Sequence, residues 1–250
     1  MGVGEIVAIA LAGAGAGAIN TVVGSGTLIT FPVLLAFGYA PVTANVSNTI
    51  GLVPGAASGA WGYRNELVGQ RRRAIRLGAS SVLGGVTGAV LLLVLPASAF
   101  ETIVPNFIAI ALVLTVLQPR LNVFLQKHQG DRRREGGLLT LAAVYGSGVY
   151  GGYFGAAQGV LLLGILGVLL PQDLQRTNAL KNVLAGLVNG VAGVYFAFAA
   201  QVRWGPAALI AAGSILGAQL GARYGQRLRP AALRAVIVVV GILAIVSLVT

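Results

Sequence analysis

From Ile6 to Tyr63 the chain reads IVAIALAGAGAGAINTVVGSGTLITFPVLLAFGYAPVTANVSNTIGLVPGAASGAWGY, 58 residues without a charge between Glu5 and Arg64. A helix rises about 1.5 Å per residue and a bilayer core is about 30 Å thick, so a run of this length suits about three crossings. Further charge-free stretches occupy 77–100, 102–119, 136–172, 182–202, 204–222 and 235–250. The apolar runs are continuous rather than alternating, which points to helices and away from a β-barrel. No basic segment precedes the first run, so that segment is expected to remain as a helix rather than act as a cleaved signal.

Composition narrows the class further. Of 250 residues, 56% are hydrophobic and only 9% are charged, with a mean hydropathy of +0.86. Soluble domains carry roughly a quarter charged residues. Disorder requires low hydrophobicity and is excluded. There is no cysteine, hence no disulfide, thiolate nucleophile or thiolate metal site, and a single histidine, His128, leaves nothing for a histidine-built metal centre. The net charge of +11 could suggest a nucleic-acid partner, but so few charges leave no solvated basic face. The expectation is a multi-pass protein of the cell (inner) membrane, with the bilayer as partner, no nucleic acid, no cofactor and no catalytic set.

Hydropathy and break residues predict helices over 4–23, 27–38, 42–63, 75–95, 99–118, 137–155, 159–170, 175–200, 205–223 and 231–249. Two of them, Thr27–Gly38 and Gly159–Leu170, are too short to span comfortably alone. Each follows a Gly-rich break: Gly24-Ser25-Gly26 in the first case, and Gly151 through Gly159 in the second.

The sequence matches itself at an offset of 133. Ser81-Val82-Leu83-Gly84 and Gly88-Ala89 align with Ser214-Ile215-Leu216-Gly217 and Gly221-Ala222, while Gly26 meets Gly159, Leu28 meets Leu161 and Asn45 meets Asn178. Biased composition makes single matches common, but one ungapped offset serving three regions indicates duplication, as in many secondary transporters. The expected organisation is a first repeat over 1–118, a basic cytoplasmic linker over 119–136 and a second repeat over 137–250.

Charge placement predicts how the repeats are related. Fourteen of the seventeen Lys and Arg fall in three clusters: Arg64 to Arg76, Arg120 to Arg134, and Arg223 to Arg234. With five crossings per half, all three clusters share one side and Arg203 stands opposite. With four, the third cluster changes sides. The positive-inside rule favours five plus five. An odd number per half inverts the second copy and leaves both termini outside the cytoplasm. The expected fold is therefore an all-α polytopic membrane protein of two inverted-topology repeats, each of about five helical segments with one short broken helix.

Polar residues at membrane depth are costly and mark candidate sites. Asn20, Thr21, Ser25 and Gly26 lie at the first break. Asn45, Ser47, Asn48 and Thr49 lie in the third helix. Gln158, Gly159, Asn178, Lys181, Asn182 and Asn189 lie in the matching part of the second half. Asn45 and Asn48 are spaced i, i+3, as are Asn178 and Lys181, so each pair shares a helical face. The plain reading of any one asparagine is an interhelical hydrogen bond, worth about 1 kcal/mol. For Lys181 it is snorkelling, or pairing with Asp173. The other reading is a site for a small oxyanion: free N–H groups at the short-helix N-termini, hydroxyls, amides and one ammonium, with no nearby carboxylate. Recurring pairs such as Gly13/Gly17, Gly84/Gly88 and Gly217/Gly221 serve helix packing within a bundle or between subunits, so a homo-oligomer stays open.

These residues resemble a known family. The run Ala18-Ile19-Asn20-Thr21-Val22-Val23-Gly24-Ser25-Gly26-Thr27-Leu28-Ile29-Thr30-Phe31-Pro32 and the segment Thr43 to Thr49 are similar to the first half of the TauE/SafE-type sulfite exporter family. Gly151 to Gly159, then Asn178-Ala179-Leu180-Lys181-Asn182-Val183 and Asn189, resemble its second half. The resemblance implies export of sulfite or a related organosulfur anion. The sequence departs from the pattern at Gly24-Ser25-Gly26, where the family's glycine run is longer. It departs at Asn20, where many members carry an acid, and at Asn48-Thr49, where Asn-Lys is common. The expected activity is export of a small sulfur anion, of sulfite or sulfoacetate type, by alternating access. Asn20, Thr21, Ser25, Gly26, Asn45, Asn48, Gln158, Gly159, Asn178, Lys181 and Asn182 are the candidate substrate contacts. A passive channel or a permease for another small organic anion is the alternative.

Overall fold

The computed structural model describes residues 1–127, 137–170 and 172–224, with three isolated positions at 238, 239 and 242. Among the described residues it is all helical: α1 Val3–Val22, α2 Thr27–Ala36, α3 Pro41–Gly62, α4 Arg71–Val94, α5 Ala97–Lys127, α6 Leu138–Tyr153, α7 Gln158–Leu169, α8 Leu174–Ala199 and α9 Trp204–Tyr224. A short 3-10 turn, Arg64–Leu67, joins α3 to α4. The helix expected over 231–249 lies outside the described residues, apart from those isolated positions. So do His128, Arg132 to Arg134, Arg227, Arg229 and Arg234. Five helices are long and apolar enough to cross a bilayer: α1, α4, α5 up to Phe124, α8 and α9.

Two boundaries differ from expectation. The fifth helix does not stop at 118 but runs through Pro119 to Lys127, so 119–127 is helix. A proline removes one N–H from the ladder, and a helix packed among neighbours tolerates that loss. The fourth starts at Arg71 rather than 75, which draws Arg71, Arg72 and Arg73 into its first turn.

Both breaks are made in the same way. Gly24, at φ +92°, returns its N–H to Ile19 and ends α1; Gly155, at φ +78°, returns its N–H to Tyr150 and ends α6. Positive φ costs glycine nothing, and the reversed turn satisfies carbonyls that a helix end leaves open. Ala157 also stands at positive φ (56°), the one non-glycine to do so among the described residues.

Small residues set the packing. On the α1–α9 seam, a Cβ at Gly17 would lie 2.2 Å from Ser214 O, and one at Gly217 would lie 1.8 Å from Ala14 O. On the α4–α6 seam, a Cβ at Gly88 would lie 2.0 Å from Val149 O. The backbones touch, which in lipid replaces the missing hydrophobic drive between helices. Among α1–α4 and α6–α9 the packing partners are unchanged when the halves are exchanged: α1 packs on α9 as α6 packs on α4, α3 on α9 as α8 on α4, and α3 on α8 at the centre. Leu11, Leu83, Val94, Val194, Phe198 and Leu216 remain exposed, which suits a lipid-facing surface.

The bundle has two distinct ends. At one, Arg176 donates to Val68 O (2.9 Å) and Arg73 to Gln172 Oε1 (2.7 Å), which ties the turn after α3 and the start of α4 to the start of α8. The end of α9 joins them, since a Cβ on Gly62 would meet Ala222. At the other end, Tyr39, between α2 and α3, donates to Glu5 near the start of α1 (2.6 Å), and the Arg203 N–H donates to Ser47 (2.9 Å). The chain thus returns through α2 to the level at which α1 begins. Trp61 and Trp204 are exposed at the ends of α3 and α9, as interfacial anchors would be, and the Arg64 guanidinium sits 5.0 Å over the Trp61 ring.

Gly217→Val is expected to lower stability by about 1–3 kcal/mol or more through overpacking. Gly190→Ala, whose Cβ meets nothing within 4 Å, is expected to keep or raise it. Thermal melts in detergent check both; an unchanged Gly217→Val melt would refute the close seam.

Candidate functional site

At the centre the two breaks touch. The Gly159 N–H donates to Gly24 O at 3.1 Å, and a Cβ on either glycine would come within 2.4 Å of the other's Cα. Only a pair without side chains allows this approach.

The end of α1 leaves carbonyls without helical partners. Helix α8 supplies them. Lys181 Nζ donates to Asn20 O and Thr21 O, both at 3.3 Å; Asn178 Nδ2 and Asn182 Nδ2 each donate to Thr21 O, also at 3.3 Å. Residues 178, 181 and 182 share a face by helical spacing. Lys181 is 1% exposed. Neither snorkelling nor an Asp173 pair explains it. The Asp173 carboxylate instead caps α8 by accepting from the Arg176 N–H (2.9 Å). The ammonium faces the negative end of the α1 dipole, which favours a cation there. The other half repeats the arrangement without a charge, as Asn45 Nδ2 donates to Tyr153 O at the end of α6 (3.0 Å).

The candidate residues divide into groups. Asn20, Thr21, Gly159, Lys181 and Asn182 line one small cavity of ≈10 Å³ together with Gly24, Ala56 and Ala185. That is about the smallest space that holds one water, so the centre is closed to a polyatomic ion. Asn178 lines a separate, larger cavity. The rest point elsewhere. Ser25 bonds Thr115 on α5 (3.1 Å). Gly26 packs against Ala16 O. Asn48 bonds Thr27 (3.3 Å) and accepts from Thr30, both on α2. Gln158 lies across Gly151 and donates to Ser147 O (3.2 Å). The two short-helix N-termini do not both offer free donors here, since the Gly159 N–H is taken by Gly24.

Sequence reading passed over the polar face of α5. Thr115 and Gln118 are buried, and Gln118 Nε2 donates to Val23 O (3.3 Å) beside the first break. With Asn122 they follow i, i+3, i+7, a spacing visible in the sequence. On the far side of the second break, Phe31, Phe100, Phe107, Tyr153 and Phe154 form an aromatic cluster, with Phe31 and Phe154 centroids 5.2 Å apart and edge to face.

If Asp173 is a helix cap, Asp173→Asn is expected to leave stability nearly unchanged and Asp173→Ala to cost about 1 kcal/mol. Thermal melts of the two variants check this; an Asn variant as damaged as Ala would instead require the carboxylate charge.

Comparison with known proteins places the chain. The family described as sulfite exporter TauE/SafE matches residues 9–248. The probable membrane transporter protein YfcA of Escherichia coli (strain K12) is 27% identical over 220 residues, 85% of this chain and 79% of that protein. The probable membrane transporter protein ORF9 of Sinorhizobium sp is 29% identical over 229 residues, 91% of this chain and 85% of that protein. A probable membrane transporter protein of Haemophilus influenzae is 27% identical over 213 residues, 82% of this chain and 79% of that protein. No solved structure gives a significant match.

Proposed function

We propose that this chain, which belongs to the sulfite exporter TauE/SafE family, is a secondary transporter and not an enzyme. Its cargo is a small sulfur-containing anion of the sulfite or organosulfonate type, which it exports across the inner membrane by alternating access. The observation that carries this reading is Lys181. A buried ammonium is held by two backbone carbonyls and flanked by two amides, at the point where two broken helices meet. An unpaired charge at membrane depth is expensive and rarely kept without use. Carbonyl partners carry only partial charge, so an arriving anion would compete well for the ammonium.

The inverted repeat belongs to the same reading. It is supported by the contacts that group element ends. The start of α1 lies with Tyr39 and Arg203 at one end of the bundle. The end of α7 lies with Arg73, and Ser80 of α4 donates to Leu141 O near the start of α6 (2.7 Å), at the other. Corresponding helices of the halves then run in opposite directions. The arginine-rich end is cytoplasmic by the positive-inside rule. The closed centre suits a carrier that rocks between two states better than a standing pore.

Sulfite efflux from proteoliposomes tests the reading. Lys181→Ala is expected to reduce saturable flux at least about tenfold, as loss of a buried charge-assisted contact would. Flux indifferent to the substitution would overturn the site.

A further inference from the structure

The chain holds six acids: Glu5, Glu66, Glu101, Asp131, Glu135 and Asp173. Glu5 lies in the first turn of α1 and accepts from Tyr39. Glu66 lies in the turn after α3, Glu101 near the start of α5, and Asp173 caps α8. None of these four is buried. Asp131 and Glu135 belong to the linker sequence, outside the described residues, as does His128, the single histidine. Lys181 is the one buried charge among the described residues. The elements that pack on α8 bring it no counter-charge. Helices α3 and α7 carry no titratable group, α6 carries only tyrosines, and Tyr63 follows α3. Arg64, Glu66 and the arginines of α4 stand at the arginine-rich end, and Glu101, Arg120 and Lys127 lie towards the two ends of α5. On α8 itself, Arg176 is turned to Val68 O.

The two breaks give a coupling cation no place either. Metal cations at such breaks are held by free carbonyl oxygens. Here Asn20 O and Thr21 O receive the Lys181 ammonium, and Thr21 O receives the amides of Asn178 and Asn182 as well. At the second break, Tyr153 O receives Asn45. Proton relays at membrane depth use Asp, Glu and His chains, and the apolar runs of this chain contain none of the three. The charge that moves in a carrier cycle follows from this. Lys181 stays with the protein. A monovalent anion bound to it offsets the ammonium, so the loaded site changes sides with little net charge. The empty site returns with its charge uncompensated. An inside-negative potential draws that positive site back towards the cytoplasm and expels the anion. We infer that export is uncoupled and electrogenic: the anion leaves alone, driven by the membrane potential, with no proton or metal cation moved with it or against it. The inference rests on the anion reading of Lys181 and adds the source of energy.

Proteoliposomes of the full chain test it with methanesulfonate, which stays a monoanion and so carries no proton of its own. Potassium and valinomycin set the potential, with equal buffered pH on both sides. At steady state the methanesulfonate gradient is expected to follow the potential, by about fiftyfold per 100 mV for the one charge carried. At zero potential, an imposed pH or sodium gradient is expected to build no methanesulfonate gradient. A gradient that ignores the potential, or one that a pH or sodium gradient builds alone, would overturn the inference and leave the transporter reading intact. If sulfite moves and methanesulfonate does not, the sulfite gradient at equal pH must still follow the potential, and one that ignores it would overturn the inference in the same way. Movement of neither anion would overturn the transporter reading and this inference together.

Discussion

A helix that ends in the middle of a packed bundle leaves carbonyl oxygens that apolar neighbours cannot satisfy. That constraint organises the centre of this protein. The end of α1 exposes the carbonyls of Asn20 and Thr21, and one face of α8 meets them with an ammonium and two amides. Those contacts tie α8 to the first break, and α8 also packs on α3 and α4. The end of α6 poses the same problem, and Asn45 of α3 answers it. Two broken helices, each closed by the opposite half, explain why neither half is complete alone.

The halves answer in different chemistry. The α1 end is met by charge and lies beside a cavity walled in part by Tyr63, Asn122 and Asn178. The α6 end is met by one asparagine and lies among aromatic rings. Polar contacts thus gather at the α1 end and an aromatic cluster fills the space between α2, α5 and α6. Only ≈10 Å³ is left around Lys181.

Much of this was legible in the residues. Charge-free runs marked the helices because membrane spans tolerate few charges, and Gly24-Ser25-Gly26 and Gly151 to Gly159 marked the breaks, although α6 stays helical to Tyr153 and the left-handed turns fall at Gly24 and Gly155. The self-match at 133 pairs α1–α4 with α6–α9, the helices whose packing partners exchange. Other features were not legible. Pro119 reads as a stop, yet α5 continues, because packing outweighs one missing N–H. Gln158 stands among the candidate substrate contacts but lies back across Gly151, a fold that depends on a glycine seven residues away. The partner of Lys181 is backbone, and no side-chain pattern announces a carbonyl. The Thr115, Gln118 and Asn122 face was visible as spacing, but only the touching break gives it a role.

An anion bound as proposed replaces the α1 carbonyls as the partner of Lys181. Selenite, a heavier analogue of sulfite, scatters anomalously, so a crystal of the full chain grown with it locates the anion directly. One anomalous peak is expected within hydrogen-bond distance of Lys181 Nζ and Asn182, with the Lys181 contacts to Asn20 O and Thr21 O lengthened or broken. Selenite bound elsewhere, with Lys181 still on those two carbonyls, would contradict it.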